Sequence, residues 1–146
     1  MPPALIARAG MIGALLGGAA CGSSNVDGPI DFEVGGGFGG GGDGTPSLHI
    51  ELDGSATRTK ATTTKTATLD AATMRDLRTK IERAQIPTLA ESYERCCDMF
   101  SYRVSVLLDG TAYTVTGTKA TSHDQPARLQ LVFDTLDQIA TSSVWQ

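Results

Sequence analysis

The amino-acid sequence predicts a two-layer α+β domain: an antiparallel sheet made of a first strand and two β-hairpins, covered on one face by two amphipathic helices. Three observations carry that prediction. Apolar and polar side chains alternate in segments 30–34, 48–52 and 100–106, the period of a strand with one buried face. Asp53-Gly54 and Asp109-Gly110 follow two of those segments and signal tight hairpin turns. Two other stretches repeat apolar residues at spacings of three and four, the period of a helix lying on a core. A sheet with one polar face needs cover on the other face only, and two helices supply that cover.

The elements follow in order. Residues 21–29 are polar and glycine-containing and read as a flexible tether. Ile30, Phe32 and Val34, alternating with Asp31 and Glu33, make the first strand, and the domain is expected to occupy residues 30–146. Residues 35–44 are almost entirely glycine around one Phe38; glycine pays the largest entropy on ordering, so the stretch reads as a mobile loop whose one large side chain can touch a partner. Leu48, Ile50 and Leu52 form the next strand. A two-residue turn at Asp53-Gly54 sets Ile50 opposite Thr57 and Leu48 opposite Thr59. The returning strand, 55–64, is rich in Thr and Ala and reads as a sheet edge guarded by Lys60 and Lys65.

Asp70 is placed to cap a helix, with Leu69 and Met74 stapling its entry. Met74, Leu77, Ile81 and Ala84 share its apolar face, and Pro87 stops it near Gln85. Segment 86–98 is irregular, with Leu89 and Tyr93 lapping over the core. Phe100, Tyr102, Val104 and Val106 alternate next. Pairing about Asp109-Gly110 sets Val106 against Tyr113 and Val104 against Val115 on one face, and Ser105 against Thr114 and Arg103 against Thr116 on the other. Pro126 falls in the first turn of the last helix, where its missing N–H costs little. Leu129, Val132, Phe133, Leu136, Ile139 and Ala140 form that helix's stripe.

The N-terminus has its own chemistry. Arg8 is the one charge before an apolar stretch from Ala9 to Ala20. A spanning helix needs about 20 residues, so residues 1–20 read as a signal peptide instead. Gly18-Ala19-Ala20 precede Cys21, as in bacterial lipoprotein signals, with cleavage before the cysteine and lipid, palmitate included, on its thiol. Such signals usually carry Leu where Gly18 stands, so ordinary secretory cleavage stays open as the alternative. The expectation is a cell-envelope protein, lipid-anchored through Cys21. Gly22 directs it to the outer membrane if the organism has two membranes. The remaining length suits one domain.

Composition narrows the function classes. The formal net charge is −4 and there is no basic run, so nucleic-acid binding has no electrostatic footprint. Cys96 and Cys97 are adjacent; a strained vicinal disulfide, two free thiols and an intermolecular bridge all remain open. Asp98, His49 and His123 are nearby donor types, yet no C-x-x-C or H-x-x-x-H spacing supports a metal site, and none is expected. No G-x-S-x-G or H-E-x-x-H occurs and each His stands alone in sequence, so no catalytic residue, enzyme activity or cofactor is expected. The glycine run lacks the G-K-[ST] ending of a phosphate loop.

A pattern of short elements spans residues 30–140. The first strand runs into Gly36-Gly37-Phe38-Gly39. Leu69-Asp70 opens a helix, and Ile86-Pro87-Thr88-Leu89 follows it. Asp98-x-Phe100-x-Tyr102-x-Val104-x-Val106 leads to Asp109-Gly110, and a Pro126…Leu129 helix with Leu136 closes the pattern. This resembles the emfourin-type domains, small inhibitors of protealysin-like zinc metallopeptidases. The chain departs from them in its longer glycine stretch, the Cys96-Cys97 pair and its leader. The resemblance implies a protein-binding domain with Gly36, Gly37 and Phe38 at the partner and a zinc metallopeptidase as the candidate target. The alternative is a structural or accessory envelope lipoprotein with no peptidase partner.

Overall fold

The computed structural model describes residues 24–36, 45–93, 100–119 and 124–146. The elements are β1 (Val26–Gly35), β2 (Pro46–Ile50), β3 (Ser55–Lys60), β4 (Thr63–Thr68), α1 (Ala71–Ala84), a 3-10 turn (Ile86–Thr88), β5 (Ser101–Leu108), β6 (Thr111–Thr118) and α2 (Ala127–Thr141). The strands form one antiparallel sheet in the order β4-β3-β2-β1-β5-β6, with both helices on one face. The fold is α+β in two layers, as the alternation and the two apolar stripes predict.

The β5–β6 hairpin has the predicted register, with Val106 opposite Tyr113 and Val104 opposite Val115. Asp109 and Gly110 both take positive φ (48° and 76°), the requirement of the tight turn that sets this register. Helix α1 also follows its signals. Asp70 Oδ1 accepts from the Thr73 N–H at 2.7 Å, and that bond lowers the Asp70 pKa. Met74, Leu77, Ile81 and Ala84 are buried, and Gln85 ends the helix in the left-handed region.

Several expectations are corrected. Residues 21–29 are not tether throughout: β1 begins at Val26, which pairs with Leu108, and Asp27 Oδ2 accepts from the Gly110 N–H at 2.7 Å. The β2–β3 register is shifted by one, with Ile50 opposite Ala56 and Leu48 opposite Arg58. The physical reason is the turn. Asp53 spends its carboxylate on Ser55, accepting from that backbone N–H at 2.8 Å, and only Gly54 takes positive φ. The closing bond is Glu51 N–H to the Ser55 carbonyl, so three residues, Leu52, Asp53 and Gly54, form the loop. Strand β3 is not an edge, because the chain turns at Ala61-Thr62 and returns as β4 along Lys60↔Thr63 and Thr57↔Thr66. Phe100 lies outside β5 and is 46% exposed. Pro126 caps α2 from outside rather than sitting in its first turn.

Irregular segments close both sheet edges. On the β6 edge, the Tyr93 N–H donates to the Thr116 carbonyl at 2.8 Å and the Thr116 N–H to the Glu91 carbonyl at 2.9 Å. On the β4 edge, Thr66 and Gln146 exchange backbone bonds of 3.3 and 3.1 Å. An unpaired edge is a template for aggregation, and these bonds remove part of it. Trp145 is buried. Its Nε1–H donates to the Ile139 carbonyl at 2.9 Å, and the Arg58 guanidinium lies 5.2 Å from its ring centroid.

The helices run antiparallel. Arg128, near the start of α2, donates to the Ala84 carbonyl at the end of α1 (2.8 Å). Lys80 of α1 reaches Thr135 of α2 at 3.0 Å. Phe32, Tyr102 and Phe133 form an aromatic chain from sheet to helix, with centroids 5.2 and 5.4 Å apart. Gly117 makes the last contact possible, since a Cβ on it would meet Phe133 Cε2 at 2.6 Å. Overpacking of this kind costs about 1–3 kcal/mol. Such a Cβ would also meet the Gln125 side chain, so Gly117→Ala should lower the urea midpoint by the equivalent of about 1–3 kcal/mol; an unchanged midpoint would mean that Gln125 and α2 both move aside freely.

Candidate partner-binding surface

Strand directions sort the connections into two groups. At one end of the sheet β1 and β6 finish, β2 and β5 begin, and β3 turns into β4. Gly36, Thr45, Phe100 and Lys119, each next to a strand terminus, lie at that end. The residue before β1 and the Asp109-Gly110 turn lie at the opposite end, where the Asp109 N–H donates to the Asn25 carbonyl at 3.1 Å. The glycine-rich connection and the N-terminal entry are thus at opposite ends of β1.

Of the expected partner residues, Gly36 follows β1 directly, exposed and at positive φ (76°). Gly37 and Phe38 lie outside the described residues, as do Cys21, Cys96, Cys97, Asp98 and His123.

At the end from which the glycine segment leaves, a groove of about 410 Å³ opens between the sheet and α2. Its apolar wall includes Val34, Pro46 and the half-exposed Phe100; its polar wall includes Arg58, Lys60, Lys119 and Asp137. Helix α2 supplies Asp137, whose carboxylate lies 3.4 Å from the Lys119 Nζ. The Tyr102 phenol sits beside it, and burial first, then that carboxylate, raise the phenol's pKa. Arg58 is held by the Ala140 carbonyl at 2.7 Å and by the Trp145 ring. A second hollow shares Arg58 and Lys60 and adds Lys65, which pairs with Arg58 across β3 and β4. The cations that looked like edge guards in the sequence thus join a basic surface next to the groove. Its residues come from five strands and α2, so no local sequence motif could have marked it.

The uncovered sheet face carries a cluster that sequence reading missed. His49 is not isolated. Its Nδ1 lies 2.6 Å from Asp31 Oδ1, and its Nε2 lies 3.0 Å from Glu51 Oε1. The antiparallel β1–β2 register sets Asp31 opposite His49, and Glu51 follows two residues later on the same face. Both bonds favour the imidazolium, Asp31 most and Glu51 next, so the His49 pKa is raised above 6.5. Both ring nitrogens are engaged by carboxylates. Among the described residues, no group of three or more His, Cys, Asp or Glu is arranged to hold a metal ion.

The pH dependence follows from the sign of that shift. A raised folded pKa gives stability that is fully present below the unfolded value near 6.5 and is lost as pH rises through the folded value. NMR titration should place the His49 imidazole above 6.5 and show a fall in Asp31→Asn; a value at or below 6.5 in the unmodified chain would mean that the carboxylates do not hold the ring in solution.

No protein-family model matches the chain and no curated protein matches it significantly, so the geometry of this sheet end bears the weight of the functional reading.

Proposed function

We propose that the chain is an exported lipoprotein, anchored through Cys21 in the cell envelope, which binds protein rather than catalysing a reaction. The candidate target is a zinc metallopeptidase of the protealysin or thermolysin type. The observation that carries this reading is the arrangement along β1. The chain enters at Val26 and leaves toward Gly36-Gly37-Phe38 at the other end of a ten-residue strand, about 30 Å away. Five residue-to-residue steps lead from Cys21 to Val26, a reach of about 17 Å at most. A lipid on Cys21 therefore holds one end of the domain near the membrane and leaves the opposite end to meet a partner. A single acyl chain binds a bilayer only marginally, whereas two or more anchor stably.

The packed sheet supports the binding role. Gly35 pairs with Ser101 in the hydrogen-bonded β1–β5 ladder, so the glycine segment starts from fixed backbone. The resemblance of segments 30–140 to emfourin-type domains supports the choice of a peptidase as target.

Two experiments test the reading. Labelled palmitate should be incorporated into the full chain in bacterial cells and lost in Cys21→Ser, with that variant released from the membrane fraction; label retained in Cys21→Ser would remove the anchor. The full chain in detergent should inhibit a protealysin-like member of a thermolysin-type panel stoichiometrically without being cleaved, and Phe38→Ala should weaken inhibition at least about tenfold, or about 1.4 kcal/mol. Absence of inhibition across the panel by folded protein would discard the peptidase as target.

A further inference from the structure

We propose that the groove between α2 and the sheet end is the docking site for an acidic peptide segment of the protein partner, carrying carboxylates beside an apolar side chain. This rests on the protein-binding reading above, but not on the partner being a peptidase.

Charge complementarity decides the occupant. The protein is acidic, with a formal net charge of −4, yet among the described residues this surface gathers Arg58, Lys60, Lys65 and Lys119 against one acid, Asp137. Asp137 faces Lys119 and offsets it. Among the described residues, three cations therefore remain in excess along β3 and β4. Arg58 and Lys65 are partly buried, and Lys60 is exposed. No ion pair involving Lys60, Lys65 or Arg58 occurs among the described residues. Arg58 is already aligned: the Ala140 carbonyl takes one of its donors and its guanidinium lies over the Trp145 ring, 5.2 Å from the centroid. The guanidinium keeps further donors for a carboxylate and loses little freedom on binding.

The apolar requirement comes from Phe100. It is a large side chain 46% exposed at the rim of the groove, with Val34 and Pro46 lining the same wall. A ligand of charge alone would leave that surface in water. A segment with an aliphatic or aromatic side chain between acidic residues covers Phe100 and reaches the cations together. An anionic lipid headgroup has the same charge, but the groove stands at the end of β1 away from the membrane-attached entry, which favours a protein segment.

The test is fluorescence anisotropy of a labelled Glu-Leu-Glu-Gly-Leu-Glu peptide against the full chain in nonionic detergent. The probes for comparison are its Gln-for-Glu analogue and soluble dihexanoyl phosphatidylglycerol as competitor. Exposed charge pairs contribute about 0.2–1 kcal/mol each, so the acidic peptide should bind about tenfold more tightly than the Gln analogue. Binding should weaken as salt is raised. Lys60→Gln and Phe100→Ala should each weaken it about threefold with the thermal midpoint unchanged. Equal binding of the two peptides, no binding of either, insensitivity to both substitutions, or displacement by the lipid at comparable concentration would each overturn the proposal. Peptide binding without peptidase inhibition would retain the groove and discard the peptidase; inhibition with a silent peptide titration would do the reverse.

Discussion

The contact on which most of the architecture depends is Phe133 against Gly117. Strand β6 has no side chain where the ring of α2 descends, so the helix comes close enough for Phe133 to reach Tyr102, and through it Phe32. That approach fixes where the rest of α2 falls. Asp137 comes to lie beside Tyr102 and Lys119. The carbonyls of Ile139 and Ala140 come within reach of Trp145 and Arg58. Trp145 in turn brings Gln146 against Thr66 and closes the β4 edge. One missing Cβ is thus coupled to the helix layer, the groove wall and a sheet edge.

The sequence was legible where the information is local. Asp109-Gly110 supports positive φ at two consecutive positions, and the flanking alternation agrees with the register which that turn imposes. Asp70 and the Met74-Leu77-Ile81-Ala84 stripe also lie within a few residues of what they determine. Asp53-Gly54 failed because the same dipeptide had a local competitor. Ser55 offers both its N–H and its hydroxyl to the Asp53 carboxylate, and the loop widens by one residue. Strand β4 was hidden for another reason. Ala61 takes a positive φ that alanine rarely adopts, so its turn carries no compositional mark. A Thr-Lys-Thr-Ala-Thr strand also has too little to bury to show alternation.

The sites were less legible than the fold because they depend on register and packing together. His49 and Asp31 are eighteen residues apart and meet only because β1 and β2 pair with Asp31 opposite His49. A one-residue slip would move every side chain of β2 to the other face and dissolve the pair. The groove needs still more, since Phe100, Lys60, Lys119 and Asp137 belong to four separate parts of the chain. Composition alone read Lys60 and Lys65 as edge protection. The added strand β4 and the position of α2 turn them into one side of a basic hollow.

The proposed binding role would be divided between two kinds of surface. Fixing backbone costs about 1–2 kcal/mol per residue, and glycine has the most freedom to lose. On composition alone, a contact made through the glycine-rich stretch would carry a large entropic cost before it gained affinity. The groove carries far less of it. Its walls are set by the sheet ladder, by the buried α2 stripe and by the bonds that hold Arg58. Preorganised surface of this kind converts contact into affinity more fully than surface that must be ordered first. A partner that engages both would draw affinity from the groove and use Phe38 for reach and selectivity. Losing the Phe38 side chain would then weaken the complex without abolishing it, because the cations and Phe100 would keep their places on the folded scaffold.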